Sequence, residues 1–326
     1  MPVYIESLIK LDRFKLGGLG IAFGLFVFFK TLVKDFKSII KDSEYKKSKL
    51  LKHKNIRTSV KQYKASITYQ TANKQVVLRI EAGSSKNKRC YVTWEFWPKN
   101  IKHSGVHQFI EAIECLMGNE PCFTYKIAYQ VGKITYIELA CDLKTPNIHN
   151  DLIFWKMKTQ KGGIYMKQDA LNDGSITKGS IYLGAKDSAL QFCIYDKAKQ
   201  LRETGQDTPW LNYTRIEARL QKTKLKLNEL VNIKSPFPNL HIANAIDCKE
   251  KWQEPEWIQF IECALEHTYP VAIAPLDKVT RKKFHDRLKQ CSVKFWKPEG
   301  LLINLYKEVR KLHPIHIQPK LINYSI

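Results

Sequence analysis

Three short segments of this chain carry side chains suited to chemistry on a phosphodiester: Ile134 to Leu143, Leu190 to Lys197, and Thr214 to Leu220. Read with the two-residue period of a strand, the second turns Leu190, Phe192 and Ile194 to one face and Gln191, Cys193, Tyr195 and Lys197 to the other. The third sets Ile216, Ala218 and Leu220 against Arg215, Glu217 and Arg219, and the first sets Ile137, Leu139 and Cys141 against Glu138 and Asp142. The polar sides together hold a tyrosine, a lysine, two arginines and three carboxylates. A phenol has a pKa near 10 and is a poor nucleophile at neutral pH unless something activates it. A divalent cation does so by drawing charge from the phosphate and fixing it in line. Mg²⁺ or Mn²⁺ takes oxygen ligands, and Glu138, Asp142 and Glu217 are the candidates. Lys197, two residues from Tyr195, is placed to lower the phenol pKa or to neutralise phosphate charge.

The elements that must position these groups read as α+β. Val76 to Ala82 and Cys90 to Trp97 are rich in β-branched and aromatic residues and flank a turn-prone Gly-Ser-Ser-Lys-Asn. Val106, Phe109, Ile110, Ile113, Leu116 and Met117 recur at helical spacing. Phe123 to Tyr129 and Ile134 to Asp142 read as a hairpin, Asn150 to Lys156 as a short helix, and Gly163 to Lys167 as a strand. Gly179 to Lys197 reads as a hairpin turning at Gly184, followed by a strand from Tyr213 to Leu220. The expected architecture is an antiparallel sheet with helices on one face and an open basic face on the other, followed by a smaller helical C-terminal region. Its helices fall at Glu256 to His267, Leu276 to Lys289 and Leu301 to Leu312. The expected divisions are an apolar and basic lead-in over 1–45, a catalytic domain over 46–230, and the helical region over 231–326.

Composition narrows the partners. The 54 Lys and Arg against 31 Asp and Glu give a net charge of +23, which points to a polyanion, nucleic acid above all, though a generally lysine-rich proteome accounts for part of the excess. The candidate DNA contacts are Arg215, Arg219 and Lys186, with Trp94 and Lys99, and the cluster Arg281, Lys282 and Lys283 on the middle C-terminal helix. Trp94 and Trp97 could stack on unpaired bases or serve as core. The eight cysteines show no CxxC pair and read as reduced thiols, which places the chain in the cytoplasm. Leu16 to Phe29 is uncharged and apolar but shorter than the roughly 20 residues that span a bilayer. It reads as a buried helix or N-terminal arm, with a membrane-surface anchor as the alternative.

On spacing alone, Tyr195 is one of fifteen tyrosines, with Tyr182 as the rival nucleophile. Glu217 reads equally as a cross-strand ion-pair partner of its flanking arginines. An ordered set of motifs adds to this: Ile137-Glu138-Leu139-Ala140-Cys141-Asp142, Ile181-Tyr182-Leu183-Gly184-Ala185-Lys186-Asp187-Ser188, Ile194-Tyr195-Asp196-Lys197 and Arg215-Ile216-Glu217. Together, over roughly Cys90 to Leu220, they resemble the Rep_trans replication initiators of rolling-circle plasmids and some filamentous phages. The resemblance implies nicking and rejoining of single-stranded or hairpin origin DNA through a 5′-phosphotyrosine. Tyr195 would be the nucleophile, and Asp142 and Glu217 the metal ligands with Glu138 a third. It also implies a host helicase and, in plasmid members, a homodimer. Two departures stand out: the first motif has Tyr136 and Glu138 where the family has arginine and aspartate, and Cys193 precedes Ile-Tyr in place of arginine. A non-catalytic DNA-binding regulator is the alternative.

Overall fold

The computed structural model describes residues 10–21, 23–42, 56–71, 73–85, 89–100, 106–145, 151–155, 164–170, 176–226, 229–230 and 233–298. The fold is α+β, with antiparallel strand pairs and a helical region toward the C-terminus. Contacts divide the chain into two units, each assembled from separated stretches.

The first unit takes in Lys10–Glu138 and Gln221–Ile233. It holds β1 (Lys10–Ile21), α1 (Phe23–Asp42), β2 (Ile56–Lys61), β3 (Lys64–Gln70), β4 (Val76–Ser84), β5 (Cys90–Phe96), α2 (Val106–Leu116), α3 (Tyr125–Val131) and the start of β6 (Lys133–Leu143). Its strand order is β2-β3-β4-β5-β1-β6. Register puts Tyr69, Leu78 and Phe96 in one row and Ile67, Ile80 and Trp94 in the next, all buried. The helices lie over that face: Phe109 stacks on Tyr69 (5.1 Å), and Tyr125 meets Trp94 (5.6 Å) and Phe96 (5.1 Å). The alternate residues form a polar row, Thr68, Arg79, Glu95 and Lys15, in which Glu95 takes Arg79 at 3.2 Å and Lys15 at 3.6 Å. One apolar and one polar side is what period-two alternation dictates when helices cover a single face.

The second unit takes in Leu139–Leu220 and residues 234–298. It continues β6 and adds β7 (Leu152–Trp155), β8 (Ile164–Ala170), β9 (Ile176–Leu183), β10 (Leu190–Asp196), α4 (Lys197–Glu203) and β11 (Thr214–Lys226). Beyond these come β12 (Leu240–Ala243), α5 (Ala245–Lys251), α6 (Pro255–Glu266), α7 (Tyr269–Ile273) and α8 (Lys278–Gln290). The strand order is β6-β11-β10-β9-β8, with β12 and β7 a separate antiparallel pair. Phe192, on the apolar face of β10, meets Trp155 (5.4 Å) and Phe237 (6.0 Å). The helical region has its own core, in which Trp257 contacts Phe284 (4.9 Å) and Phe260 (5.5 Å) beside Phe154 and Leu288.

Several expectations change. Leu16 to Phe29 is split between the end of β1 and the start of α1, and β1 pairs with β5, so residues 10–42 are working parts of the first unit. Phe123 to Tyr129 is no strand: a 3-10 turn at Pro121–Phe123 leads into α3, which buries Tyr125 and Ala128 at a helical spacing of three. The helix expected over Asn150 to Lys156 is β7, a run of four apolar residues whose partner β12 lies far along the chain. The helix expected at Leu301 to Leu312 lies outside the described residues.

Two predictions follow from local geometry. Gly184, at φ +94° in the β9–β10 turn, has room for no Cβ, which would lie 2.8 Å from the Leu190 carbonyl oxygen. Gly184→Ala should therefore lower stability by about 1–3 kcal/mol in urea denaturation. Burial, reinforced by Asp247, raises the Asp151 carboxyl from 3.8 to about 6. Stability from this group is full below its ordinary pKa and is lost as pH rises through about 6. Asp151→Asn should raise the melting temperature at pH 7.5 and change it little at pH 3.5.

Candidate active site

β10 and β11 pair with Cys193 opposite Glu217, Tyr195 opposite Arg215 and Gln191 opposite Arg219, and β9 adds Tyr182 opposite Cys193. These side chains share one face of the sheet by register alone. Tyr195 stands one residue before the end of β10. Asp196 then caps α4 by accepting from the Lys199 backbone N–H (2.8 Å), and Lys197 opens the helix with its own N–H on the Tyr213 carbonyl (2.7 Å).

The centre of the arrangement is Glu217. Tyr195 Oη donates to its Oε1 at 2.6 Å, and Arg219 Nη2 donates to its Oε2 at 2.8 Å. Glu217 is buried, while Tyr195 and Arg219 are part-exposed. The Lys197 ammonium lies 5.8 Å from the centre of the Tyr195 ring and donates to Gln200 Oε1. Arg219 also sits over the Tyr182 ring at 5.9 Å. Burial, with Cys193 beside it, raises the Tyr182 phenol above its ordinary value.

A second group lies on β6 and β11. Arg215 grips Asp142 with two bonds, Nε to Oδ1 at 2.6 Å and Nη2 to Oδ2 at 3.0 Å, and both residues are buried. Tyr213 Oη accepts from Arg215 Nη2 at 3.3 Å, and burial, with Asp142 nearby, pushes the Tyr213 phenol up to about 12. Tyr213 was missed in the sequence; its position two residues before Arg215, on the same side of a strand, was the available signal.

The expected ligands are thus engaged by cations and phenols. Glu138, in the first unit, is buried and accepts from Tyr136 Oη at 3.1 Å. Among the described residues no three His, Cys, Asp or Glu side chains gather around a point a metal ion could take. Asp142 and Glu217 as arranged do not fit a bound Mg²⁺ or Mn²⁺: a guanidinium already neutralises each.

The DNA-contact candidates separate. Arg215 is buried on Asp142 and offers nothing to a phosphate at the surface, so that expectation is corrected. Trp94 is corrected too: it is wholly buried between Phe96 and Tyr125, with no ring face left for a base. Lys99 lies in a 3-10 turn at Pro98–Asn100. Lys186 is exposed in the β9–β10 turn. On α8, Lys282 and Lys283 are exposed, the latter 3.8 Å from Glu254. Arg281 donates to the Leu276 and Ala274 carbonyls and so caps the end of α7. On the face expected to be open and basic, opposite charges pair around β10 and β11, with Cys193, Arg215 and Glu217 buried and Tyr195, Lys197 and Arg219 part-exposed.

No family model matches the chain, and no curated protein matches it. Among solved structures it is similar to a rolling circle replication initiator protein from Geobacillus stearothermophilus, at 12% identity and a TM-score of 0.37, over 82% of this chain and 98% of that one. A likeness that distant carries no argument about fold or chemistry, and the functional reading rests on the residues.

The bidentate pair has a testable consequence. Arg215→Met leaves the Asp142 charge buried without its guanidinium and should cost about 3–5 kcal/mol of stability in chemical denaturation. Arg215→Met combined with Asp142→Leu should recover most of that loss.

Proposed function

We propose that the chain is a replication initiator that nicks and rejoins origin DNA, with Tyr195 as nucleophile. The observation that carries the reading is the 2.6 Å hydrogen bond from the Tyr195 phenol to Glu217, a buried carboxylate placed to take its proton. With the proton on Glu217, the phenolate oxygen bonds to phosphorus and the bond from phosphorus to the 3′ oxygen breaks. The departing 3′ oxygen takes a proton from water, and Tyr195 is left joined to the 5′ phosphate. Attack by a 3′ hydroxyl on that phosphotyrosine reverses the step and rejoins a strand. Arg219 and Lys197 supply positive charge beside the phenol, where the phosphate must come. The net charge of +23 suits a polyanionic substrate.

Mg²⁺ or Mn²⁺, which the family resemblance implies, would neutralise phosphate charge when bound, but holding it at Asp142 or Glu217 requires an arginine to leave. The second reading, a DNA-binding regulator without catalysis, is favoured by those same arginine-occupied carboxylates. Single-stranded or hairpin origin DNA is the proposed substrate; a host helicase and a second copy of the chain are the proposed partners.

Incubation with supercoiled DNA carrying the element's own origin should give a covalent protein–DNA adduct on a denaturing gel. Tyr195→Phe should abolish it, and Glu217→Gln should slow nicking by about 10²–10⁴-fold. Arms with Mg²⁺, Mn²⁺ and EDTA decide whether a metal takes part. Tight origin binding with no nick under any of these conditions would sink the enzyme reading in favour of the regulator.

A further inference from the structure

Over its first two turns the outward side of α1 is apolar where a helix on a globular surface is ordinarily polar. Phe26, Phe29, Leu32 and Val33 are buried, as one amphipathic stripe requires. Yet Phe23, Val27 and Phe28 on the other side are 41%, 44% and 51% exposed. α1 runs along β2 and β3, and Lys30 Nζ reaches the Gln62 carbonyl (3.3 Å) at the turn that joins those strands. Val60 and Tyr63, each 40% exposed, stand at that end of the hairpin. Val60 pairs with the buried Ala65, which places it on the helix-covered face of the sheet. Five of the ten exposed large hydrophobics among the described residues therefore fall on α1 and the adjoining hairpin. Single exposed hydrophobics need no explanation, but a concentration of this kind marks a surface that meets something.

The surroundings say what. Lys30 and Lys34 stand beside these side chains on α1, Lys34 exposed, while Lys61 and Lys64 flank the hairpin tip from the other face of the sheet, where Lys64 contacts Glu81 at 3.2 Å. A second copy of the chain would bring lysines against lysines. Unpaired bases could stack on Phe23, Phe28 and Tyr63, but Val27 and Val60 offer no flat ring. A bilayer with acidic headgroups answers both features, taking the apolar side chains at the headgroup boundary and the ammonium groups at its charged surface. No helix among the described residues is long and apolar enough to cross a membrane, so the contact is one of lying on the surface. We infer that the α1 face, with the tip of the β2–β3 hairpin, is a docking site for an anionic lipid bilayer. The inference is independent of the nicking reading.

The test is co-sedimentation of the full chain with vesicles of phosphatidylcholine alone or mixed with phosphatidylglycerol. The expected result is binding to the mixed vesicles, little to the neutral ones, and weakening at high salt. Val27→Ser with Phe28→Ser should reduce binding about tenfold or more while changing the melting temperature little, because these two side chains are the most exposed apolar ones on α1. Wild-type protein that ignores mixed vesicles would overturn the inference, as would a double variant that binds them as wild type does. A concentration-dependent dimer lost in the double variant, without vesicle binding, would assign the face to a second copy. A loss confined to single-stranded DNA binding would assign it to nucleic acid.

Discussion

A carboxylate taken out of water must have its charge answered within the fold. At Glu217 the answer is a phenol on one oxygen and a guanidinium on the other, and the rest of the site depends on that arrangement. The pairing fixes where the Tyr195 hydroxyl points and gives its proton somewhere to go. It also holds Arg219 beside the phenol, where positive charge meets an incoming phosphate. Asp142 and Arg215 repeat the solution one row away, with both partners buried. The polar side of β10 and β11 therefore holds its buried carboxylates in pairs with arginine.

The face assignment of this site was legible in the sequence because strand alternation has a period of two and cannot drift. Tyr195, Glu217 and Arg219 share a face in the structure as the spacing required, and the alternative reading of Glu217 as an ion-pair partner describes its contact with Arg219. What each carboxylate touches was not legible. Three acids and two arginines on neighbouring strands are equally compatible with a metal bound by the acids or with the acids bound by the arginines. Distance decides between these, and spacing does not contain it.

The same limit separates the elements. Strongly periodic segments fell where expected: α2 and α6 each bury a long stripe, and α8 is held by Phe284 and Leu288, one turn apart. β7 and α3 were misread because both are short and apolar, and four to seven such residues fit a buried strand or a buried turn of helix equally well. Trp94 shows the matching ambiguity for a side chain: a tryptophan near lysines looks like a base-stacking platform until register puts it under α3. The apolar run at 16–29 likewise gave no hint that Val60 and Tyr63 would stand beside its exposed half.

The central claim is that Tyr195 carries the strand. Its most direct test is to trim the DNA from a covalent adduct with nuclease, digest the protein with trypsin, and weigh the peptides. Residues 187–197 contain Tyr195 and no other tyrosine, whereas Tyr182 lies before Lys186 on a different peptide. A nucleotide mass on residues 187–197, localised to Tyr195 by fragmentation, is the predicted result. The same mass on the peptide that carries Tyr182 would contradict the account.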